Sequence, residues 1–322
     1  MNNKLYNEGY LEVSNVHNIW YGECGNPEGH PILWLHGGPG AGCGGDEGKY
    51  FDTNFYRVIL VDQRGAGKST PFCELRENTT QNLISDIEAL RQHLGITKWS
   101  ILGGSWGSLL ALCYAISHHD KLNALILRGV FTGTDKENDH LWYKMRDTFP
   151  DAWQELYDFL PEEERQTMPQ SYARRVLSND NTISMPAIRA FNKYDNICAY
   201  LEISDATLAQ NLSNEDEMIG LAKIFMHYST NKFFITNDYI AKNLTTITHL
   251  PCIMVHGRYD TICKPSVAYD LHKLWPKSKL NIVPKGGHIA SEDALSNALK
   301  AATDELSIEL NQKINDIPNS DE

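Results

Sequence analysis

The stretch GGSWGS at 103–108 places one serine among small residues, directly after the apolar pair at 101–102. A G-x-S-x-G pattern between a strand and a helix is typical of the strained turn that holds a nucleophile above a sheet. Gly103 and Gly107 suit such a turn because side chains at these positions would collide across it. The alternative is an ordinary glycine turn, so Ser105 needs partners elsewhere in the chain before it predicts chemistry.

Serine is a poor nucleophile unless a base takes its proton and an acid orients that base. In this kind of architecture the chain order is serine, then acid, then histidine. Asp260 follows the apolar run 253–255, and His288 follows the apolar run 280–283, with room between them for a helix at 266–274 and one strand. Each alone could be a turn aspartate or a loop histidine. Together with Ser105 they predict a catalytic triad.

Acyl transfer also requires hydrogen-bond donors for the oxyanion. The backbone N–H of Trp106, directly after the serine, is one candidate, and Gly38 in the loop after an early strand is the other, with Gly37 as the alternative. His36 is interpreted as structural because His288 already fills the role of base. These glycines do not form a phosphate-binding loop, because the Lys-Ser/Thr pair that such a loop requires does not follow them.

Short apolar runs indicate the elements that must position these residues. They lie at 32–35, 58–61, 100–102, 124–127, 253–255 and 280–283, and most are flanked by glycine or proline. Nearly continuous apolar strands predict a mostly parallel sheet covered on both faces. Apolar residues at helical spacing over 83–94, and again after GGSWGS, predict helices that flank it.

The alternation of strands and helices stops after Gly129 and resumes at Pro251. The intervening chain is amphipathic and rich in aromatic residues, which predicts a helical insertion. We therefore expect a sheet domain over 1–130 and 250–310, a helical cap over 131–249, and a flexible tail over 311–322.

Charge and cysteine content exclude several classes of function. The chain of 322 residues has 29 Lys and Arg against 41 Asp and Glu, a net charge of −12, which disfavours nucleic acid as a partner. No signal peptide or membrane span is evident, so a soluble cytoplasmic protein is expected. The seven cysteines form no CxxC pair, and the adjacent His118 and His119 point to different faces of a helix. Neither a zinc site nor a disulfide framework is therefore indicated.

A set of motifs distributed over the chain resembles one family, the prolyl aminopeptidases or proline iminopeptidases. The motifs are HGGPG at 36–40, DQRGAGKSTP at 62–71, GGSWGS at 103–108, RGVF at 128–131, HGRYD at 256–260 and GGH at 286–288. The resemblance extends from about residue 10 to about residue 306. It implies an α/β-hydrolase fold, with a mostly parallel central sheet and a helical cap. It also implies a serine exopeptidase that releases N-terminal residues, preferably proline, from peptides with a free N-terminus, and that uses no metal or other cofactor.

The family's catalytic positions carry over residue by residue. Ser105, Asp260 and His288 fall on its triad, and Gly38 and Trp106 fall on its oxyanion donors. The resemblance thus assigns the same five residues as the reasoning from spacing.

The family's substrate-binding positions carry over with two departures. Arg128 and Phe131 fall on positions that line the family's substrate pocket. Asp195 stands where the family has a glutamate that holds the substrate's amino terminus, and Phe225 stands where the family has a second such glutamate. An exopeptidase needs acidic groups to fix the substrate ammonium, so Phe225 favours an alternative, an esterase or amidase that accepts an uncharged acyl group. A third hypothesis, a binding protein on a hydrolase scaffold, is disfavoured by the complete triad.

Overall fold

The computed structural model describes residues 4–315 and contains one eight-stranded sheet within that range. The strands are Asn7–Glu12 (β1), Asn18–Gly25 (β2), His30–Leu35 (β3), Tyr56–Val61 (β4), Trp99–Gly104 (β5), Leu122–Arg128 (β6), Cys252–Gly257 (β7) and Ser278–Val283 (β8). Their order is β1-β2-β4-β3-β5-β6-β7-β8. β2 pairs antiparallel with β1 and β4, and every other pairing is parallel. The predicted fold class, a mostly parallel sheet flanked by helices, is confirmed.

All six apolar runs found in the sequence are strands, β3 to β8, whereas β1 and β2 were not predicted. β1 is the edge strand, and its residues alternate between exposed and half-buried positions. β2 is buried along most of its length but contains a charged residue, Glu23, whose carboxylate accepts a hydrogen bond from Arg57 on β4 at 2.5 Å. An edge strand and a strand with a paired charge both lack the continuous apolar pattern of a parallel strand.

Eleven α-helices accompany the strands in the described part of the chain. They are Thr80–His93 (α1), Trp106–His118 (α2), Asp135–Asp139 (α3), Pro150–Asp158 (α4), Met168–Val176 (α5), Asn181–Ala199 (α6), Asp205–Asn211 (α7), Glu215–Thr230 (α8), Tyr239–Asn243 (α9), Pro265–Lys273 (α10) and Asp293–Asn315 (α11). The helix predicted over 266–274 is α10, displaced by one residue.

The core lies on both faces of the sheet because successive strand residues point to opposite sides. Leu33 packs in a cluster with residues of α1, α2 and α10, while the adjacent Trp34 packs in a second cluster with residues of α11. The strands at the centre of the sheet are therefore apolar on both faces, as their sequences indicate.

Between β6 and β7 the chain forms helices α3 to α9 and no strand. Most of the buried residues between Leu141 and Met226 form a third hydrophobic cluster. Ile224 and Tyr228 of α8 and Ile240 of α9 instead pack with one of the two clusters on the sheet. A separate core favours the predicted cap over 131–249, although the division into two domains stays a prediction. Of the predicted tail, 311–315 belong to α11 and 316–322 lie outside the described residues. None of the helices in residues 4–315 is both long and apolar enough to cross a membrane.

The turn between β5 and α2 has the geometry that the glycine pattern suggested. Ser105 adopts φ +56° and ψ −124°, a conformation that side-chain-bearing residues rarely adopt. A Cβ at Gly103 would lie 2.2 Å from the Gly107 carbonyl oxygen, and a Cβ at Gly107 would lie 2.2 Å from the Leu35 oxygen. Neither position can hold a side chain unless backbone moves.

Gly103→Ala should therefore lower the free energy of unfolding, by about 1–3 kcal/mol, because the new methyl group overlaps backbone atoms that cannot rotate away. Gly44→Ala is the matched control, since a Cβ there would meet nothing closer than 3.5 Å. We expect the control to change the free energy by less than about 0.5 kcal/mol. Denaturant unfolding of the two variants measures the difference, and equal stability would contradict this description of the turn.

Candidate active site

Three side chains distant in the sequence form one hydrogen-bonded chain at the carboxyl ends of the parallel strands. His288 Nε2 lies 3.0 Å from Ser105 Oγ. His288 Nδ1 lies 2.8 Å and 3.0 Å from the two carboxylate oxygens of Asp260. All three residues are buried. The structure thus brings together the predicted nucleophile, base and acid in the arrangement that a Ser-His-Asp triad requires.

The Asp260 carboxylate is held by groups other than His288. Its Oδ1 accepts a hydrogen bond from the backbone N–H of Cys263 at 2.8 Å. His256 accepts from the Val130 N–H at Nδ1, so its Nε2 carries the proton and donates to the Cys263 carbonyl at 2.7 Å. The same Nε2 lies 3.5 Å from Asp260 Oδ2. Burial lowers the pKa of His256, so this second histidine beside the acid is neutral.

The helical insertion helps to position both loops of the triad. The His288 N–H donates to the Ala199 carbonyl at the end of α6, at 3.1 Å. The Thr261 hydroxyl, next to Asp260, donates to the Cys198 carbonyl at 2.8 Å. The end of one helix is therefore bonded to both the acid loop and the histidine loop.

The two predicted oxyanion donors lie beside the serine. Trp106 is the first residue of α2, so its backbone N–H has no partner within the helix. Gly38 has φ +107° and lines the same small cavity as Ser105 and Trp106. A Cβ at Gly37 would lie 3.3 Å from Ser105 Cβ, which shows how closely this loop packs against the nucleophile.

A cavity of about 300 Å³ opens beside Ser105 and His288, and we call it the polar cavity because charged side chains stand among its apolar walls. Its walls include Asp195 and Arg128, both predicted as substrate-binding residues, together with Glu217. Arg128 is 9% exposed and donates from Nη1 to the His288 carbonyl at 2.8 Å. This cavity is the part of the site that offers charged groups to a ligand.

A second, aromatic cavity of about 40 Å³ lies on another side of Ser105 and is lined by Trp106, Phe131, Phe225 and Phe233. Phe225 lines both cavities and stacks on Phe191, with ring centroids 5.1 Å apart. The position where the resemblance implies a carboxylate is thus occupied by an aromatic ring packed into the core of the insertion.

Glu137 also lines the aromatic cavity, and the sequence did not single it out. Its carboxylate caps the loop before α3, accepting hydrogen bonds from the backbone and hydroxyl groups of Thr132 and Thr134. The spacing of Thr134 and Glu137 is that of a capping box, which indicates a helix start but not a cavity wall.

Burial raises the pKa of Asp195 from 3.8 to about 6, although the nearby His288 partly opposes the shift. The carboxylate is consequently ionised at neutral pH and protonates in mildly acidic solution. Burial lowers the pKa of Arg128, while the Asp260 carboxylate acts in the opposite direction.

Within residues 4–315, no three His, Cys, Asp or Glu side chains are grouped so that they could hold a metal ion. The seven cysteines all lie in this range and are free thiols. The chemistry that the described residues offer is nucleophilic attack by an activated serine, with an anion-stabilising loop and an acidic group nearby.

Comparison with known proteins identifies alpha/beta hydrolases, among them proline iminopeptidases. A family model described as alpha/beta hydrolase fold matches residues 30–295. The proline iminopeptidase of Arabidopsis thaliana is 42% identical over 306 residues, which cover 94% of this chain and 80% of the relative. The crystal structure of a proline iminopeptidase from Mycobacterium smegmatis superposes with a TM-score of 0.60 at 18% identity, covering 94% of this chain and 98% of that one. The esterase RhEst1 from Rhodococcus sp. ECU1013 superposes equally well, with a TM-score of 0.61 at 19% identity. The superposition covers 94% of this chain and 98% of that one.

Cys263 provides a chemical test of the acid loop. Its side chain lines the aromatic cavity, is 4% exposed, and follows Asp260 by three residues. Burial and the nearby Asp260 carboxylate raise the pKa of this thiol, so alkylation should be slow. A maleimide added to Cys263 should displace Asp260, misalign His288 and abolish activity.

The measurement is the rate of inactivation by the maleimide in the wild type and in Cys263→Ser. We expect the variant to resist, and Cys73→Ser, which removes a half-buried thiol elsewhere, to lose activity as the wild type does. Equal inactivation of wild type and Cys263→Ser would assign the effect to another thiol.

Proposed function

The chain belongs to the proline iminopeptidase family within the alpha/beta hydrolases, and on this basis we propose that it releases N-terminal residues, preferably proline, from peptides through an acyl-enzyme formed on Ser105. The observation that carries the proposal is the hydrogen-bonded chain from Asp260 through His288 to Ser105. The predicted organisation, a cap over 131–249 on a sheet domain, is part of the proposal, since both parts contribute walls to the site.

Acylation begins with transfer of the Ser105 hydroxyl proton to His288. Because an ionised carboxylate only accepts hydrogen bonds, His288 carries its proton on Nδ1 toward Asp260 and presents the lone pair of Nε2 to the serine. Ser105 Oγ attacks the carbonyl carbon of the N-terminal residue as Nε2 takes the hydroxyl proton. His288 then gives that proton to the leaving amine, and the peptide bond breaks.

The tetrahedral intermediate places a negative charge on the former carbonyl oxygen. The backbone N–H groups of Trp106 and Gly38 are proposed to receive it, and both belong to segments packed around Ser105. Water, activated by His288 in the same way, then attacks the acyl-enzyme and releases the free amino acid.

The substrate's amino terminus is a cation, and the polar cavity offers it the Asp195 carboxylate. A hydrogen bond to a charged group contributes roughly 1.5–3 kcal/mol, or about 10- to 100-fold in affinity. Phe225 gives no such contact, and Glu217 on the same wall is exposed and already accepts a hydrogen bond from Asn214 at 3.0 Å. We therefore expect weaker capture of the amine than two buried carboxylates would provide. Peptides with a free N-terminus are the proposed substrates.

A second candidate function is favoured by Phe225 alone. With an apolar ring lining both cavities, the site could accept an uncharged acyl group, as an esterase or amidase would. The same triad would perform that chemistry, so the two candidates differ only in whether a free amine is required. The likeness to RhEst1 bears on the fold and not on this choice.

Ser105→Ala tests the nucleophile. We expect hydrolysis of a prolyl substrate to fall by several orders of magnitude, since triad members act as a unit, while the variant folds as the wild type does. Ser117→Ala, which removes an exposed hydroxyl at the other end of α2, should leave kcat/KM unchanged. Circular dichroism and steady-state kinetics measure both properties, and a folded Ser105→Ala protein with most of its activity would refute the assignment.

Asp195→Asn tests amine recognition. It should raise KM for proline nitroanilide roughly 10- to 100-fold, because the ammonium loses a charged partner. The KM for a small uncharged ester should change little, and Asp151→Asn, at an exposed aspartate of the insertion, should change neither. Cleavage of N-acetylproline nitroanilide by the wild type as fast as of the free-amine substrate would favour the esterase or amidase instead.

The raised pKa of Asp195 predicts a pH dependence with a definite sign. Above about pH 6 the carboxylate is ionised and attracts the ammonium, and below that value it is neutral and the attraction is lost. KM for proline nitroanilide should therefore rise as the pH falls from 7 to 5, where the substrate amine stays protonated. The ester should show no such rise, and Asp195→Asn should abolish it. An identical pH profile of KM for both substrates would contradict this role of Asp195.

A further inference from the structure

Gln63 lies between the two segments that carry the proposed oxyanion donors. It follows the end of β4 by two residues, and its side chain is 5% exposed. The side-chain carbonyl accepts a hydrogen bond from the indole Nε1 of Trp106 at 2.7 Å. The side-chain amide group donates to the backbone carbonyl of His36 at 3.0 Å. One amide is thus bonded to both segments.

The orientation of this amide follows from its partners. An indole N–H can only donate and a backbone carbonyl can only accept, so the oxygen of Gln63 must face Trp106 and its nitrogen must face His36. The side chain thus accepts one hydrogen bond and donates another, which an apolar residue of the same length could not do.

His36 is tied to Gln63 a second time. The Gln63 backbone N–H donates to His36 Nε2 at 3.1 Å, which leaves the proton on Nδ1, where it donates to the Gly37 carbonyl at 2.9 Å. Burial lowers the pKa of His36, so the ring stays neutral and Nε2 stays an acceptor. The start of the glycine loop is therefore anchored to the residue that also holds Trp106.

We infer that Gln63 is a positioning residue that sets the distance between the Gly38 and Trp106 N–H groups. Gly38 follows His36 by two residues, and Trp106 supplies its N–H from the residue whose indole Gln63 holds. The two segments follow β3 and β5, which pair in parallel as far as Leu35 and Gly103, and beyond that pairing the Gln63 side chain is bonded to both. The inference rests on the proposed function, because it takes these two N–H groups as the oxyanion donors.

The expected effect falls on the transition state and not on substrate binding. Donors must lie about 2.7–3.1 Å from the oxyanion, and loss of one donor lowers kcat by roughly 10²–10³-fold. Displacement of a donor, as opposed to its loss, should lower kcat by a smaller factor, about 10- to 100-fold. In the described part of the chain Gln63 lines neither the polar nor the aromatic cavity, so KM should change less than about threefold.

Gln63→Met keeps the length of the side chain and removes both hydrogen bonds. The matched control is Asn78→Leu, at another buried amide that follows the same strand. Asn78 donates to the Arg64 carbonyl at 2.9 Å and accepts from the Tyr228 hydroxyl at 2.8 Å, so it also joins a backbone carbonyl to an aromatic side chain. The Tyr228 ring packs on Trp106, at 4.6 Å between centroids. Both variants should melt at a lower temperature, but only Gln63→Met should lose kcat.

Two inhibitors separate positioning from general loosening of the site. Prolinal, an aldehyde, forms a hemiacetal: Ser105 Oγ bonds to the aldehyde carbon, the hydroxyl proton passes to His288, and the aldehyde oxygen becomes an oxyanion. Proline, the reaction product, binds without that bond. Gln63→Met should weaken inhibition by prolinal in proportion to its loss of kcat/KM and leave inhibition by proline within about threefold of the wild type.

The outcomes are distinct. A folded Gln63→Met protein with wild-type kcat and prolinal affinity, or one that loses prolinal and proline affinity equally, overturns the inference. If Gln63→Met does not fold, Trp106→Phe provides the test, because it removes the indole N–H that Gln63 accepts. It should give the same selective loss of affinity for prolinal. A wild-type protein that prolinal does not inhibit would instead refute the proposed function.

Discussion

The backbone of Ser105 is the constraint on which the rest of the site depends. Its φ of +56° is costly for a residue with a side chain, and it persists because neighbouring atoms hold it. The Ser105 N–H donates to the Arg128 carbonyl at 2.8 Å, and its own carbonyl accepts from the hydroxyl and backbone N–H of Ser108. Only in this conformation does Oγ stand above the sheet within reach of His288. The adjacent glycines leave room for this turn, since a Cβ at Gly103 would lie 2.2 Å from the Gly107 carbonyl oxygen.

The insertion between β6 and β7 is part of the catalytic arrangement as well as a wall of the cavity. Helix α6 carries Asp195, and its last residues accept hydrogen bonds from both triad loops. The Gly40 and Gly220 backbones also meet closely, since a Cβ at Gly40 would lie 2.5 Å from the Gly220 oxygen on α8. A movement of these helices would therefore disturb the glycine loop, the acid loop and the Asp195 carboxylate together.

Charge is distributed unevenly around the serine, and this bears on how the proposed site would bind an amine. The polar cavity has Asp195 and Glu217 on its walls, whereas Phe225 closes the side where a second carboxylate would stand. Replacing that carboxylate by a ring that stacks on Phe191 exchanges an electrostatic contact for apolar packing within the insertion. The aromatic cavity beside it holds the Glu137 carboxylate, which is already bonded to Thr132 and Thr134.

The sequence by itself determined the fold class and indicated the triad, because each triad residue follows an apolar strand and the carboxyl ends of parallel strands meet at one edge of a sheet. It also indicated the glycines of the turn, since tight turns restrict residue type locally. It did not reveal the antiparallel strands β1 and β2, whose polar residues hide the pattern, nor His256, Glu137 and Gln63 as parts of the site. These residues act through partners far away in the chain, such as Asp260 for His256 and Trp106 for Gln63. Only tertiary structure brings such partners within hydrogen-bonding distance, because a distance of 3 Å between remote residues leaves no periodicity or spacing in the sequence.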